Sequence, residues 1–436
     1  MATLQSYKKY KSVDLNFAKQ IPIDWTLKRG KFFFKEISER SKKGEEQLLS
    51  VSEHKGIVPR DSINVTMFQA LSYEGYKLCN KGDIVINSLW AWHRGLGVSE
   101  HHGIVSTAYG VYRPLRPEQW NHRYLNYLIR DKTYVGECLI RSKGIWESRY
   151  LLSGRNFLDI PILQPPLEVQ NGIVAYLDKK NSEIDKFIRN KEMLLELLEE
   201  SRKRKIFDAI TKGIDKDVDL KESGLPWIGI IPKHWELKKV KSFASHVQRG
   251  SSPTYVNESE LVVISQASMS SGFIDETKYK YQSKAKIENF KGRLFEDDVL
   301  LASTGGGVLG KSIVFDRDGN YIADGHLTII RDKKKRFNSK FLFYFLSINF
   351  DFIEGYLGQG STNQTELQRG WFRDLYLPFP YLKEQDRIVE FVNDFNDEIN
   401  LAISKAQKEI SSIKEYREAL ITNLVTGKRS LNCDLE

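Results

Sequence analysis

Residues 157–188 read FLDIPILQPPLEVQNGIVAYLDKKNSEIDKFI, and residues 372–403 read FRDLYLPFPYLKEQDRIVEFVNDFNDEINLAI. The two stretches align without a gap. Aligned residues are separated by a constant number of positions, the spacing from Phe157 to Phe372, which we call the repeat offset. The identical pairs are Phe157/Phe372, Asp159/Asp374, Leu167/Leu382, Gln170/Gln385, Ile173/Ile388, Val174/Val389, Asn181/Asn396, Glu183/Glu398, Ile184/Ile399 and Ile188/Ile403. An internal repeat of this length predicts two copies of one structural unit.

The repeat extends upstream of these stretches. Residues 21–33, IPIDWTLKRGKFF, resemble residues 231–244, IPKHWELKKVKSFA, and Trp25 aligns with Trp235. Short β-branched runs bounded by Gly, Asn or Asp predict strands in both copies: GDIVINSLW, HGIVSTAYGVYRPL, DDVLLAS, KSIVFD and HLTIIRD. YLNYLIRDKTYV and KFLFYFLSINFDFIEGYL predict aromatic helices. Each copy is therefore expected to be a mixed α/β module followed by a long helix.

The long helices are predicted at Gln170–Thr211 and Gln385–Thr426, which contain no proline. Prolines precede each stretch and a glycine follows it, as is typical of helix ends. Heptad a and d positions are Val174, Leu177, Asn181, Ile184, Ile188, Lys191, Leu195, Leu198, Arg202, Lys205 and Ala209 in the first copy, and Val389, Val392, Asn396, Ile399, Ile403, Ala406, Ile410, Ile413, Arg417, Leu420 and Leu424 in the second. This pattern predicts a coiled coil of helices about 65 Å long.

Two features of this heptad pattern are polar. Asn181 and Asn396 fall at the same a-type position, where a buried polar pair would fix the coiled-coil register. The first helix is poorer in apolar a and d residues than the second, because it carries Lys191 and Lys205. These lysines either weaken the helix pair or mark a face that a partner covers.

The fold class that follows is α+β, with two repeated α/β modules separated by two long helices packed as a coiled coil. The expected domains are residues 1–166, the first module; 167–214, the central long helix; 215–380, a connector and the second module; and 381–436, the C-terminal long helix.

The chain has a net charge of +9, with 12% aromatic residues. Lysine and arginine outnumber aspartate and glutamate by 25 to 16 in residues 1–166 and by 21 to 17 in residues 231–380. Basic, aromatic-rich modules favour a nucleic-acid binder. No apolar run approaches the length that a membrane-spanning helix needs, and the three cysteines lack metal-site spacing. We expect a cytoplasmic protein with reduced thiols.

Gly305–Ser312 reads GGGVLGKS, a full match to the phosphate-binding loop of nucleotide hydrolases. Such a loop needs a strand before it and a helix after it, because the helix N-terminus faces the phosphates. DDVLLAS supplies the strand, but IVFDRDGNYIADGHLTII predicts a hairpin where the helix should be. We therefore expect a structural turn, and keep a P-loop nucleotide hydrolase using Gly305–Ser312 as the alternative. A coiled-coil scaffold that binds only protein is a third hypothesis.

ESGLPWIGIIPKHWELKKV at Glu222–Val240 resembles the segment that precedes a recognition domain in specificity (S) subunits of type I restriction-modification systems. QPPLEVQNGIVAYLD, PYLKEQDRIVEFV and LITNLVTGK resemble other segments of that family. The resemblance implies a non-catalytic subunit that reads a bipartite, asymmetric sequence in double-stranded DNA. It implies that residues 1–166 and 215–380 are target-recognition domains 1 and 2, and that the two long helices pack as an antiparallel coiled coil. It implies two docked methyltransferase (M) subunits and restriction (R) subunits that join them. It also implies no cofactor on this chain, since S-adenosylmethionine and ATP with Mg²⁺ belong to those partners.

Polar and basic loop positions are the expected DNA-binding candidates, because base edges are read by side chains with donors and acceptors. They are Trp92, His93, Arg94, His101, His102, Arg141, Lys143 and Arg149 in the first copy, and Gln266, Ser303, Thr304, Lys311, Gln359, Ser361, Thr362, Asn363 and Gln364 in the second. His101 and His102 are not expected to bind a metal together, since adjacent strand residues point to opposite faces.

Overall fold

The computed structural model describes residues 4–63, 72–144, 150–269, 273–283, 287, 290–305, 308–359 and 366–431. The chain divides into two compact units. Unit 1 comprises residues 1–192 and 407–436, and unit 2 comprises residues 193–406. Within the described residues, no helix is both long enough and apolar enough to span a membrane.

The two long helices and the helix pairs α1–α2 and α7–α8 follow the repeat predicted from the sequence. In chain order they are α1 His122–Arg130, α2 Lys132–Arg141, α3 Gly154–Leu158, α4 Leu167–Lys212, α5 Val240–Phe243, α6 Gln266–Met269, α7 Ser339–Ile348, α8 Phe350–Leu357, α9 Arg369–Asp374 and α10 Leu382–Val425. Each predicted aromatic helix is in fact two helices, α1 with α2 and α7 with α8. The Asp131 side chain caps the second of these in unit 1 by accepting from the Thr133 N–H at 2.9 Å.

The strands are short and belong to several small sheets. Those of unit 1 are Leu4–Gln5, Tyr10–Ser12, Gln20–Pro22, Thr26–Arg29, Phe34–Glu36, Leu49–Ser52, Gly56–Pro59, Lys77–Cys79, Ile84–Asn87, Leu96–Val98, Gly103–Val105, Tyr109–Pro114, Pro161–Gln164 and Ser430–Leu431. Those of unit 2 are Leu220–Glu222, Ile230–Pro232, Glu236–Lys239, His246–Arg249, Tyr255–Val256, Val262–Ile264, Lys280–Gln282, Val299–Ala302, Ser312–Val314, Tyr321–Ala323, Leu327–Arg331, Gly358–Gln359, Glu366–Leu367 and Tyr376–Phe379.

A four-stranded antiparallel sheet in unit 1 has the strand order 96–98, 84–87, 109–114, 34–36. Ile84 and Ile86 face the main core, whereas Val85 faces a second apolar cluster on the other side. This alternation follows from the two-residue period of a strand. Because both faces are covered, the strand Ile84–Asn87 reads as a continuous apolar run.

Unit 2 contains a four-stranded antiparallel sheet with the order 246–249, 327–331, 299–302, 312–314. Val299 and Leu301 face one apolar cluster, and Leu300 faces another. The central strand Val299–Ala302 lies exactly one repeat offset after Ile84–Asn87, so the repeat seen in the sequence is present in the strands as well. The α+β fold class is confirmed.

Both long helices are confirmed, and each begins three residues before its predicted start. Every predicted a and d position is buried or half-buried except Lys205, which is exposed. In unit 1, Lys191 Nζ lies 2.6 Å from Glu409 Oε2, and Asp185 pairs with Arg417. The residue numbers rise on one helix as they fall on the other, so the two helices run antiparallel there.

The helices of unit 2 also run antiparallel. Arg202 Nη2 donates to Asn400 Oδ1 at 2.7 Å, and Lys205 Nζ lies 5.5 Å from the centre of the Phe391 ring. Lys205 at a predicted a or d position is therefore accommodated by a cation–π contact while its charge stays near water.

Asn181 and Asn396 each have a hydrogen-bond partner within their own unit. Asn181 Nδ2 donates to the Tyr127 hydroxyl at 2.9 Å, within unit 1. Asn396 Nδ2 donates to the Tyr344 hydroxyl at 3.4 Å, within unit 2. A tyrosine from α1 or α7 reaches the helix at this position and offers the amide a partner. Each asparagine joins a long helix to its own module.

Candidate DNA interface

Loop A of unit 1 is the segment 88–95, which follows the strand Ile84–Asn87. Loop B of unit 1 is the segment 142–153, between α2 and α3. The Leu152 N–H donates to the Ser88 carbonyl oxygen at 2.9 Å, so the two loops lie side by side. This hydrogen bond brings the predicted residues 92–94 and 141–143 to one end of the unit.

Unit 2 repeats this arrangement. Its loop A is the segment 303–311 after the strand Val299–Ala302, and its loop B is the segment 358–368 between α8 and α9. The Leu367 N–H donates to the Ser303 carbonyl oxygen at 2.8 Å. Leu367 and Ser303 each lie one repeat offset after their counterparts in unit 1. The same pair of loops is therefore joined by the same backbone hydrogen bond in both units.

The aromatic residues of loop A in unit 1 form a connected group. The half-buried Trp92 donates its indole N–H to the Leu89 carbonyl oxygen at 2.9 Å. Its ring centre lies 5.7 Å from that of Tyr150 in loop B. His93 is exposed, and its Nδ1 lies 3.1 Å from Glu53 Oε1. Trp92 thus holds the two loops together, while His93 faces solvent beside a carboxylate.

Arg94 does not point freely toward a ligand, because its guanidinium forms a two-pronged ion pair with Glu418 of α10. This hydrogen-bonded carboxylate raises the pKa of Arg94. The Arg94 carbonyl oxygen accepts a 3.1 Å hydrogen bond from Arg130, whose Nη1 also donates to Leu96 O at 2.5 Å. Burial, with Arg94 nearby, lowers the pKa of Arg130 to about 10. Arg94 and Arg130 anchor loop A.

The other predicted residues of unit 1 differ in their surroundings. Arg141 pairs with the buried Glu137 four residues earlier on α2, so its charge is neutralised locally. Lys143 is exposed at the start of loop B. His101 and His102 lie outside both loops, and a ring nitrogen of His102 is 2.6 Å from Asn80 Oδ1. Arg149 lies outside the described residues.

In unit 2, three predicted residues surround the start of loop A. Gln266 donates its side-chain amide to the Thr304 carbonyl oxygen. The Thr304 hydroxyl lies 2.8 Å from Nδ1 of His326. Ser303 is fully buried, and its hydroxyl is 2.5 Å from that of Thr328. The Ser303 side chain therefore belongs to the sheet interior, whereas Gln266 and Thr304 are partly exposed.

The GGGVLGKS segment is a hairpin connection. The strand Val299–Ala302 pairs antiparallel with Ser312–Val314, so a strand follows the lysine where a phosphate loop requires a helix. The Gly310 N–H donates to the Ala302 carbonyl oxygen at 2.8 Å, which leaves that amide unavailable for a phosphate. The P-loop alternative is wrong, and the half-buried Lys311 is the last residue of a turn.

Loop B of unit 2 is only partly described. Gln359 belongs to the strand Gly358–Gln359, which pairs with Glu366–Leu367, and its side chain lies outside the described atoms. The predicted residues Ser361, Thr362, Asn363 and Gln364 also lie outside the described residues.

Three residues at these loops were missed by the sequence analysis. Trp90 is 55% exposed in loop A of unit 1. Arg249 Nη2 lies 3.4 Å from both the Ser303 carbonyl oxygen and Glu366 Oε2, between the two loops of unit 2. His326 contacts Thr304. Trp90 could have been found from the LWAWHR run. Arg249 reaches the site from the end of the strand His246–Arg249 and His326 from the turn before Leu327–Arg331, and no local pattern marks them.

Residues 232–412 match the family model of the Type I restriction modification DNA specificity domain. The MjaVIII type I restriction enzyme specificity subunit of Methanocaldococcus jannaschii is 24% identical over 423 residues, which cover 94% of this chain and 94% of that protein. The MjaX specificity subunit of the same organism is 24% identical over 204 residues, or 46% of this chain and 47% of that protein. In that match the chain spans about half the length of its relative.

A solved structure that describes complex assembly and conformational transition of the type I R-M system has the same fold. Its TM-score is 0.71 at 14% identity, and the match covers 93% of this chain and 99% of that chain. The domain match points to the same kind of protein as the relative that aligns over nearly its whole length. The shared fold is consistent with both. The resemblance seen in the sequence is confirmed: residues 232–412 match the DNA specificity domain, and nearly the whole chain is similar to a type I restriction enzyme specificity subunit.

Proposed function

We propose that the chain is a non-catalytic DNA sequence-recognition subunit that reads a bipartite, asymmetric target, with one unit on each half-site. The observation that carries this proposal is the pair of adjacent loops that recurs in both units. The Leu152–Ser88 and Leu367–Ser303 hydrogen bonds hold the loops in the same way. A shared scaffold with two sets of loop side chains suits a protein that reads two different sequences.

The side chains on these scaffolds differ strongly. Loop A reads SLWAWHRG at residues 88–95 and STGGGVLG at residues 303–310. Sequence is read by side chains that contact base edges, whereas contacts to phosphates carry no sequence information. Different side chains at equivalent positions thus favour two different half-sites.

Attraction to DNA in general comes from charge. Residues 1–166 carry an excess of nine positive side chains (25 against 16), and residues 231–380 an excess of four (21 against 17). Cationic side chains near phosphates release counterions, which gives affinity that falls as salt concentration rises. The proposed complex should therefore bind DNA in a strongly salt-dependent way.

The proposed partners are methyltransferase subunits, two of them, with restriction subunits joining the assembly. The proposed domains are residues 1–166 and 215–380 for recognition, with 167–214 and 381–436 as the helices on which methyltransferases dock. S-adenosylmethionine and ATP would be bound by those partners, and the complex would work in the cytoplasm. The similarity of the chain to specificity subunits supports these assignments.

The test is a methylation map of host DNA. The chain is co-expressed with a cognate methyltransferase subunit, and modified adenines are located by sequencing. A split motif with a fixed gap is expected, because two readers are joined by helices of fixed length. An uninterrupted motif, or no methylation by a folded complex, would contradict the proposal.

A module exchange tests the assignment of half-sites. Residues 232–378 are replaced by the corresponding segment of another specificity subunit with a known target. We expect one half of the methylated motif to change and the other half to stay. A change in both halves would show that the two units do not read independently.

A further inference from the structure

Loop A of unit 1 exposes a large apolar surface. Leu89 and Trp90 are 50% and 55% exposed, whereas Trp25 and Trp120 of the same unit are 1% and 8% exposed. Tryptophan carries more apolar surface than other side chains, and burying that surface is favourable. Adjacent exposed Leu and Trp side chains on one loop point to a surface that a ligand covers.

The backbone of loop A is held by hydrogen bonds at both ends. The Trp90 N–H donates to Asn87 O at 2.9 Å, and the Gly95 N–H donates to Trp90 O at 2.8 Å. At the far end, Arg130 binds the carbonyl oxygens of Arg94 and Leu96. The hydrogen-bonded backbone of loop A therefore holds the Trp90 side chain in an exposed position.

Gly95 makes this conformation possible. A Cβ atom at Gly95 would lie 2.5 Å from the Trp90 carbonyl oxygen and 2.7 Å from the Trp90 Cβ. Real Cβ contacts are not that short, so any larger residue at Gly95 must displace Trp90. The geometry of the loop thus depends on a glycine placed directly against the tryptophan.

The equivalent loop of unit 2 has no such side chain. At the repeat offset, Trp90 corresponds to Gly305 and Leu89 to Thr304. If a methyltransferase covered Trp90, two copies of that subunit would meet different surfaces at equivalent places. The two half-sites of an asymmetric DNA target differ in base sequence. A DNA ligand therefore accounts for the difference between Trp90 and Gly305.

We propose that Trp90, with Leu89 beside it, is an apolar wedge that packs against bases in the half-site read by unit 1. Aromatic side chains stack on bases, and apolar side chains contact thymine methyl groups or enter a base step. The exposed Lys143 begins loop B, which lies beside loop A, and a lysine there favours a phosphate-bearing partner over a purely apolar one. This inference rests on the proposed function and assigns a specificity-determining role within it.

The experiment uses the complex with its methyltransferase subunits and a duplex of about thirty base pairs that contains the mapped motif. Trp90→Ala is expected to weaken binding to this duplex by about 10-fold to 100-fold, the range for losing one stacked base. Trp90→Phe should retain most of the affinity. Phe32→Ala is the matched control, because Phe32 is 60% exposed in the same unit but outside both loops.

A second measurement locates the contact on the DNA. Each adenine of the unit 1 half-site is replaced in turn by 2-aminopurine, whose fluorescence reports stacking. Binding of the unmutated complex should change the signal at one position or at two adjacent ones, and Trp90→Ala should abolish that change. Gly95→Ala, which displaces Trp90, should act like Trp90→Ala.

The outcomes separate this inference from the proposed function. If the unmutated complex binds its motif and Trp90→Ala binds equally well, the wedge is wrong while the proposed function stands. If Trp90→Ala loses the methyltransferase during purification, the surface is a protein interface and the wedge is again wrong. If the unmutated complex binds no bipartite motif, the proposed function itself fails.

Discussion

The guanidinium of Arg113 donates two hydrogen bonds of 2.8 Å to the carboxylate of Asp83, whose side chain is 2% exposed. Unit 2 repeats the pair with Arg331 and the fully buried Asp298, at 2.5 Å for each hydrogen bond. Asp83 and Asp298 are equivalent positions of the repeat, and each stands directly before the central strand of its sheet. Each pair lies at the start of the central strand, at the end opposite to the one from which loop A emerges.

Removing one partner of this pair should be costly. Arg113→Met leaves Asp83 buried without its cation, and the expected loss of unfolding free energy is about 3–5 kcal/mol. Urea unfolding followed by circular dichroism measures it. Lys19→Met is the control, because the Lys19–Asp14 pair is exposed and worth about 0–1 kcal/mol. Equal losses in the two variants would contradict the assignment.

Gln385 should be important for the start of α10. Its side chain is fully buried, accepts from the Asn338 N–H at 2.8 Å and donates to the Pro380 carbonyl oxygen at 2.8 Å. Gln385→Ala leaves both backbone groups without this partner, which should cost about 1–3 kcal/mol of unfolding free energy. The exposed Gln407 of the same helix provides the control, and Gln407→Ala should be within about 0.5 kcal/mol of the parent.

His246 should make unit 2 sensitive to acid. Burial, together with Arg331 and Lys333, lowers the pKa of His246 below its usual 6.5. The folded state therefore favours the neutral imidazole ring. The stability that His246 contributes is fully present above pH 6.5 and decreases as the pH falls below that value. The unfolding free energy of the parent minus that of His246→Gln should decrease between pH 7.5 and 5. A difference that stays constant over this pH range would refute this.

The glycine-rich hairpin should not bind nucleotide. The strand Ser312–Val314 takes the place of the helix that would face the phosphates, so Mg²⁺-ATP should leave the melting temperature of the isolated chain unchanged. Lys311→Ala should behave identically. A melting temperature that rises with ATP concentration in the parent and not in Lys311→Ala would restore the alternative.

The long helices and the central strands were predictable from the sequence because their signals are local. Heptad spacing, flanking prolines and β-branched runs each lie within one element. The partners of the site residues were not predictable for the opposite reason. Arg94 meets Glu418 across 324 positions of the chain, and Asn181 meets Tyr127 across 54. A heptad register places Asn181 on a helix face, but it carries no information about the side chain that approaches from another element.

Unit 1 is built from two stretches of chain, residues 1–192 and 407–436, and its strand Leu4–Gln5 pairs with Ser430–Leu431. Unit 2 is one continuous stretch. During synthesis, every residue of unit 2 leaves the ribosome before the last residues of unit 1 do. Domains fold as their residues emerge, so unit 2 can complete its core first. Before residues 407–436 are synthesised, part of the apolar surface of unit 1 is exposed to chaperones and proteases. Leu420 and Leu424 later cover this surface.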